Sequence, residues 1–284
     1  MSTTEPRTKI DVPTLIAVST VAWALVNILH EIVGHGGACI IVGVPVEAAS
    51  TTTIYMNVDW GQLVAEHGQN PLRLVAAGGT MANVVTGAVA LWALARKKVT
   101  SMATRCFLWL FATFSMIVVA MNMVTNPLLG FGDWTDLLSS VESRHVGKAA
   151  IVGAGLVLTL TGYVLSLRLW MPPTKGHRLA LLRITAIPVV TLIIVQTLSL
   201  ARSPFAALPP QNNHLLSSVF LYIHFMLWAT AVNLIPQPRS SDVTEALRLP
   251  RSHAWLALGL VVFVFFVLVL GPGIGRFAGD PRLG

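Results

Sequence analysis

Residues 27–43 read NILHEIVGHGGACIIVG, which sets two imidazoles and a carboxylate, His30, Glu31 and His35, inside an otherwise apolar run. Two histidines flanking a glutamate can hold a metal through their ring nitrogens while the carboxylate takes a proton from a nearby water. That is the division of labour in a zinc hydrolase. The spacing is one residue longer than His-Glu-x-x-His, in which histidines four apart share a helix face. On a regular helix a separation of five turns the second ring by roughly 140° from the first. The spacing therefore predicts a π-bulge or local unwinding between Ile32 and His35, with Gly34 as the permissive point. The competing roles are a hydrogen-bonded cluster between helices and a proton-transfer site. A single histidine would be read that way, but three ionisable residues grouped so closely favour the metal.

The elements that must position these residues are set by the solvent around them. The chain has 284 residues, of which 54% are hydrophobic and only 11% charged, and its mean hydropathy is +0.71. Such a composition excludes an ordinary soluble domain. Apolar runs at 13–43, 72–95, 103–126, 149–170, 179–200, 215–236 and 254–273 are each long enough to cross a ~30 Å hydrocarbon core as a helix. The expected fold is an all-α polytopic membrane protein of about seven transmembrane helices. It forms a single membrane domain over 1–284, with no low-complexity segment and no internal repeat. The first run is too long for a cleavable signal peptide. Of the 12 acidic residues, only Glu31 falls deep inside a span, where a carboxylate costs ~2.5–3.5 kcal/mol unless it is paired or wetted.

Arg7, Lys9, Arg96, Lys97, Lys98, Arg105, Arg168, Lys175, Arg178, Arg183, Arg239, Arg248 and Arg251 flank the spans on one side. The other side is poorer in positive charge and holds Glu47, Asp59, Glu66, Asp133, Asp136 and Glu142. This asymmetry predicts a cytoplasmic N-terminus in a multi-pass protein of a prokaryotic cytoplasmic membrane. The net charge of +7 thus reads as a topology signal, and no basic run interleaves with aromatics to suggest nucleic acid. Cys39 and Cys106 fall at opposite ends of their spans, which argues against a disulfide framework. Of the longer connections, 44–71 alternates as a short hairpin would. The other, 127–148, is expected to follow a helix stop at Asn126-Pro127 and to bend at Gly130 and Gly132. The tail GPGIGRFAGDPRLG is expected to fray.

Two resemblances attach to these residues. HEIVGH, residues 30–35, resembles the His-Glu-Leu-Leu-Gly-His motif of dipeptidyl peptidase III, a soluble enzyme whose histidines have the same spacing. Over residues 20–135 the chain resembles the site-2 proteases, intramembrane zinc metalloproteases. In that family the His-Glu helix ends in a Gly-Val-x-Val-like turn into a β segment, followed by a helix bearing Ala-Gly-Pro-x-x-Asn. Here HEIVGHGGACIIVGVPVEA is followed by GGTMANVVTGAVA, so Gly78, Gly79 and Asn83 stand where the second motif would, with Thr80 in place of its proline. The resemblance implies a metalloprotease-like core of three helices at approximately 13–135, with additional transmembrane helices at 149–273. It also implies a bound Zn2+, Glu31 as the base, and Asn83 on the substrate backbone or the oxyanion.

The third zinc ligand has three candidates. NLIPQPRSSD, ending in Asp242, looks like the family's aspartate-bearing element with one residue too many, but the sixth span delivers it to the cytoplasmic side. Asp133, in NPLLGFGDW, follows a span parallel to the first and is preferred. A capping role at the start of a short helix competes for both aspartates. His224, within the sixth span, is the third candidate and competes with a bundle hydrogen bond. The expected function is hydrolysis of peptide bonds in a membrane-associated protein or peptide at the bilayer. The alternative is a transporter or metal-handling protein using His30, Glu31 and His35 as a transit or proton-relay site, and a protease-like scaffold without activity is a third reading.

Overall fold

The structure, a computed structural model, describes residues 9–56, 58–96, 98–139, 141, 143–169, 178–203, 212–234 and 248–275. Strand β1 (Lys9–Ile10) leads into the first span. Asp11 starts that span by capping it. Its Oδ2 accepts from the Thr14 N–H at 3.0 Å and from the Thr14 hydroxyl at 2.7 Å, and Pro13 sits in the first turn, where a missing N–H costs nothing. Helix α1 (Val12–Ile28) then passes without a break into a π-helical segment, π1 (Leu29–Gly36), and on into α2 (Gly37–Ile41). Together they make one span of 30 residues.

The chain continues through β2 (Val46–Ala49), β3 (Ile54–Met56), α3 (Trp60–His67) and the long helix α4 (Asn70–Ala95). The third span is α5 (Met102–Ala120), π2 (Met121–Thr125) and α6 (Asn126–Leu129), followed by the short α7 (Asp133–Ser139). Then come α8 (Arg144–Leu169), α9 (Arg178–Leu200) and α10 (Asn212–Leu234). Strand β4 (Arg248–Leu249), α11 (His253–Val264), π3 (Phe265–Leu270) and β5 (Ile274–Gly275) close the described chain. Seven helices among the described residues are long and apolar enough to span a membrane, at the positions the hydropathy predicts. The protein is an all-α polytopic membrane protein.

The two ends of the bundle are marked by small sheets. At one end β1 pairs in parallel with β4; at the other, β2 pairs antiparallel with both β3 and β5. Between them α1 packs on α5, α9 and α11, while α5 also packs on α4 and α8. The centre is aromatic. Trp23, Phe114 and Phe225 are fully buried and meet edge to face at 5.1–6.2 Å, an arrangement that adds to their area burial. Outward-facing apolar stripes, such as Met81, Val85 and Val89 on α4, sit at helical spacing for contact with lipid.

The expected hairpin in 44–71 is present as β2 and β3. Two expectations are corrected. The third span does not stop at Asn126-Pro127. It continues to Leu129 and ends at Gly130, whose φ of +83° is left-handed; Pro127 falls in the first turn of α6, where its lost N–H is tolerated. The tail is corrected in its first part only: Ile274 and Gly275 are hydrogen-bonded to β2 opposite Ala49 and Ala48, and residues 276–284 lie outside the described residues.

Candidate metal centre

The five-residue spacing is resolved by π1. In an i→i+5 ladder, residues five apart stack as residues four apart do in an α-helix, so His30 and His35 face the same way. The π form extends over all eight residues from Leu29 to Gly36, well beyond a single bulge between Ile32 and His35. Both histidines are buried, and their Nε2 atoms lie 3.3 Å apart.

Asp133 completes the group. Its Oδ2 lies 3.5 Å from His30 Nε2 and 3.3 Å from His35 Nε2. A tetrahedral ion with bonds of ~2.0–2.1 Å has ligand–ligand edges of about 3.3–3.4 Å. The three atoms form a triangle of very nearly that size, and two imidazoles with one carboxylate are a donor set suited to zinc. Among the described residues these three form the one group of histidine, cysteine or acidic side chains close enough to share an ion. Asp133 is delivered by Gly130 and Gly132, both left-handed at φ +83° and +77°, which turn the chain back after α6. The adjacent Trp134 pins the turn, its Nε1–H donating to Thr80 Oγ1 on α4 at 2.9 Å.

Helix α4 is the template against which π1 is built. A Cβ on Gly34 would lie 2.5 Å from Gly79 Cα and 2.6 Å from the Gly78 carbonyl oxygen, so the two backbones touch there. A Cβ on Gly79 would lie 2.5 Å from Nε2 of both histidines. Glycine is required because the imidazoles fill the space a side chain would take. One turn before Gly79, the Val75 carbonyl accepts from His35 Nδ1–H at 2.7 Å, which leaves Nε2 with its lone pair free to bind a metal. One turn after it, Asn83 is fully buried with Nδ2 3.0 Å from His30 Nδ1. For Nε2 to ligate, Nδ1 must carry the hydrogen. The amide then turns to present Oδ1, which has no partner among the described residues in the orientation shown.

Asn83 is therefore a support of His30. Its side chain is packed behind the imidazole and lines neither site cavity, so the expected contact with a substrate backbone or an oxyanion has no counterpart among the described contacts. His224 is also elsewhere: its Nε2 meets Thr125 Oγ1 at 3.1 Å and its Nδ1–H donates to the Phe220 carbonyl at 2.7 Å. Asp242 lies outside the described residues. Cys39 and Cys106 are both free and buried.

Glu31 stands outside the triangle and lines two cavities that meet at Asp133 and Thr52. One, of about 270 Å3, runs past His35 and Val75 to β3, bounded by Ile54 and Met56. The other, of about 140 Å3, reaches inward past His30 and carries Asn27, Asn122, Asn126 and Gln196. Its inner wall includes Trp23, whose Nε1–H donates to Gln196 Oε1 at 3.0 Å. Trp23 in turn packs against Phe114 and Phe225 of the aromatic centre. The sequence reading missed Gly34 against Gly79, the Val75 carbonyl, the Trp134–Thr80 bond and the inner amides. The available signals were the glycine pair one helical turn before Asn83 and the cluster Asn122, Asn126 and Pro127 just before Asp133.

No protein-family model, curated protein or solved structure matches this chain.

Proposed function

We propose that the protein is a membrane-embedded zinc metalloprotease, similar in its core to the site-2 proteases, that cleaves peptide bonds of membrane-associated proteins. The observation that carries this reading is the near-tetrahedral triangle of His30, His35 and Asp133 with Glu31 beside it, at the junction of two polar cavities. His30, His35 and Asp133 would hold the ion, and Asn83 and the Val75 carbonyl orient the two imidazoles. Zinc bound there would supply a water of lowered pKa and a Lewis acid for the scissile carbonyl. Glu31 takes the proton of the attacking water and passes it to the leaving nitrogen as the C–N bond breaks. The larger cavity, beside β3, receives the peptide, and the inner amides keep water at membrane depth.

The charge asymmetry supports a cytoplasmic N-terminus. Lys9, Arg248 and Arg251 cluster with β1 and β4, and the metal centre lies at the opposite end of the bundle, which puts cleavage toward the non-cytoplasmic leaflet of a prokaryotic cytoplasmic membrane. The polar inner cavity is the feature a transporter reading would use. Its inner wall at Trp23 backs onto the packed rings of Phe114 and Phe225, which favours a hydrolytic site, one that needs water from one side only. The test is cleavage of a membrane-anchored reporter peptide in proteoliposomes supplied with zinc. Glu31→Gln should keep zinc and lose cleavage. Undiminished cleavage by that variant would remove Glu31 as the base, and a pH-dependent transmembrane flux without cleavage would favour transport.

A further inference from the structure

Water adding to a peptide carbonyl leaves negative charge on the carbonyl oxygen, and a hydrogen-bond donor already aimed at that oxygen lowers the barrier. The Asn83 amide lies against His30 and lines neither site cavity, so the donor has to come from another element. The two cavities share three lining residues, Glu31, Asp133 and Thr52. Two of these are carboxylates, the base and a metal ligand on the protease reading. Thr52 is the neutral donor at the junction.

Thr52 belongs to Ser50-Thr51-Thr52-Thr53, the turn that joins β2 to β3, and both strands pack on π1. Three of these four hydroxyls are engaged within the fold. Ser50 Oγ accepts from the Thr52 N–H at 3.3 Å and donates to the Thr53 carbonyl at 3.4 Å. Thr51 Oγ1 is buried 2.6 Å from Ser199 Oγ, which ties the turn to α9. Thr53 Oγ1 donates to the Ile54 carbonyl at 3.4 Å. Thr52 Oγ1 has no hydrogen-bond partner among the described residues, and Thr52 is only half-buried, so its hydroxyl is not among the sealed, unpaired polar atoms of the bundle. Gln196, Ser217 and Ser218 line the smaller cavity alone, behind His30. The free hydroxyl at the junction is therefore carried by a turn that is fixed from both sides.

On the protease reading, we propose that Thr52 is a catalytic residue whose hydroxyl donates to the scissile carbonyl oxygen and stabilises the charge that develops there. As the water oxygen bonds to the carbonyl carbon, the C=O π pair moves onto the carbonyl oxygen and Glu31 takes the proton. When the C–N bond breaks, the pair returns and the proton passes from Glu31 to the leaving nitrogen. Thr52 keeps its own proton throughout. A donor held on a locked turn has little reorganising to do as the charge appears, and the Thr51–Ser199 bond supplies that rigidity.

The test uses the zinc-loaded full chain in proteoliposomes, with cleavage of a membrane-anchored reporter peptide and direct binding of a fluorescent phosphinic peptide. The tetrahedral phosphinate anion imitates the carbonyl after water has added. Thr52→Val removes the hydroxyl and keeps the shape. It should lower kcat by about 100-fold with KM within about twofold, and weaken phosphinic-peptide binding by a similar factor. Zinc content should not change, and Thr52→Ser should recover most of both losses. Wild-type kcat or unshifted phosphinic-peptide affinity in Thr52→Val would overturn the role of Thr52 and leave the protease reading standing. A serine variant as impaired as the valine variant would also overturn it, since the hydroxyl would then not be what matters. A wild-type protein that holds zinc but neither cleaves the reporter nor binds the phosphinate would overturn the protease reading, and this inference with it. If Thr52→Val melts well below wild type, Thr52→Ala is measured in its place against the same outcomes.

Discussion

Gly79→Ala adds one methyl group, and the structure predicts that it abolishes tight metal binding. The new Cβ would lie 2.5 Å from Nε2 of His30, 2.5 Å from Nε2 of His35 and 2.7 Å from His30 Cδ2. Ordinary contacts between such atoms are ~3.5–4.0 Å, so each ring must retreat by about 1 Å. Metal–ligand bonds tolerate deviations of only ~0.2 Å. The two ligands cannot both recover their positions, because the methyl group lies between the rings and α4. Zinc affinity should fall by more than the ~10–100-fold that follows loss of a supporting hydrogen bond. Overpacking should also destabilise the fold by about 1–3 kcal/mol. Gly37→Ala is the control, since nothing lies within 4 Å of its added Cβ. Zinc measured by mass spectrometry after equilibration in zinc buffers, with a thermal melt in parallel, separates the two effects. A Gly79→Ala protein that binds zinc with wild-type affinity would refute the placement of both imidazoles.

Asp133→Ala should weaken zinc binding at least as much as Gly79→Ala, because it removes a charged member of the triangle, whereas Asp242→Ala should leave zinc in place; the reverse pattern in the same zinc-buffer assay would exchange the two assignments. Trp134→Phe loses the bond to Thr80 that anchors Asp133 and should lower zinc affinity by about tenfold, measured by competition with a chromogenic chelator. Asp11→Ala should lower Tm, with a pH dependence of defined sign. The Thr14 hydroxyl, and with it the Thr14 N–H and the charges of Arg251 and Lys9, hold the Asp11 carboxyl below its usual value. Its contribution is therefore complete above the unfolded-state pKa of ~3.9 and is lost as pH falls through the lower folded-state value. Melts of both proteins from pH 7 downward should converge at the acid end, and a gap that persists there would count against the cap.

The spans and the approach of Asp133 to the two histidines were legible because they rest on one-dimensional quantities. Hydropathy over about 20 residues locates a membrane helix whatever its partners, and the parallel sense of the first and third spans follows from counting crossings. The conflict between five-residue spacing and helical periodicity likewise announced a π-type distortion near His35. Its extent over Leu29–Gly36 was not legible, since nothing in LHEIVGHG says how many turns the wider ladder holds. The contact of Asn83 with His30 was not legible for a related reason. A motif reports which residues gather at a site, but whether an amide faces the substrate or the back of an imidazole depends on the rotation of α4 against π1. That rotation is fixed by the Gly34–Gly79 backbone contact, between residues far apart in the chain. Pro127 misled because its missing N–H ends a helix only in the interior, and the π turn before it lets the residue serve as a first-turn position.

The π form of π1 has to be maintained by something outside itself, because i→i+5 ladders are rare and normally a single turn long. The closest contacts that hold this one come from α4: the glycine backbones in direct touch, the Val75 carbonyl on one imidazole and Asn83 on the other. Relaxed to an α-helix, the same eight residues would swing His30 and His35 apart and break both bonds, so the helical form and the metal-ready geometry stand or fall together. Asp133 reaches the group from a third segment, pinned to α4 through Trp134 and Thr80. An ion bound by His30, His35 and Asp133 would tie the first span to the chain following the third across a shared neighbour, and would bind the native arrangement far better than any relaxed one. By mass action its binding then stabilises π1 itself, so a metal lost from this centre loosens the backbone that must hold its replacement.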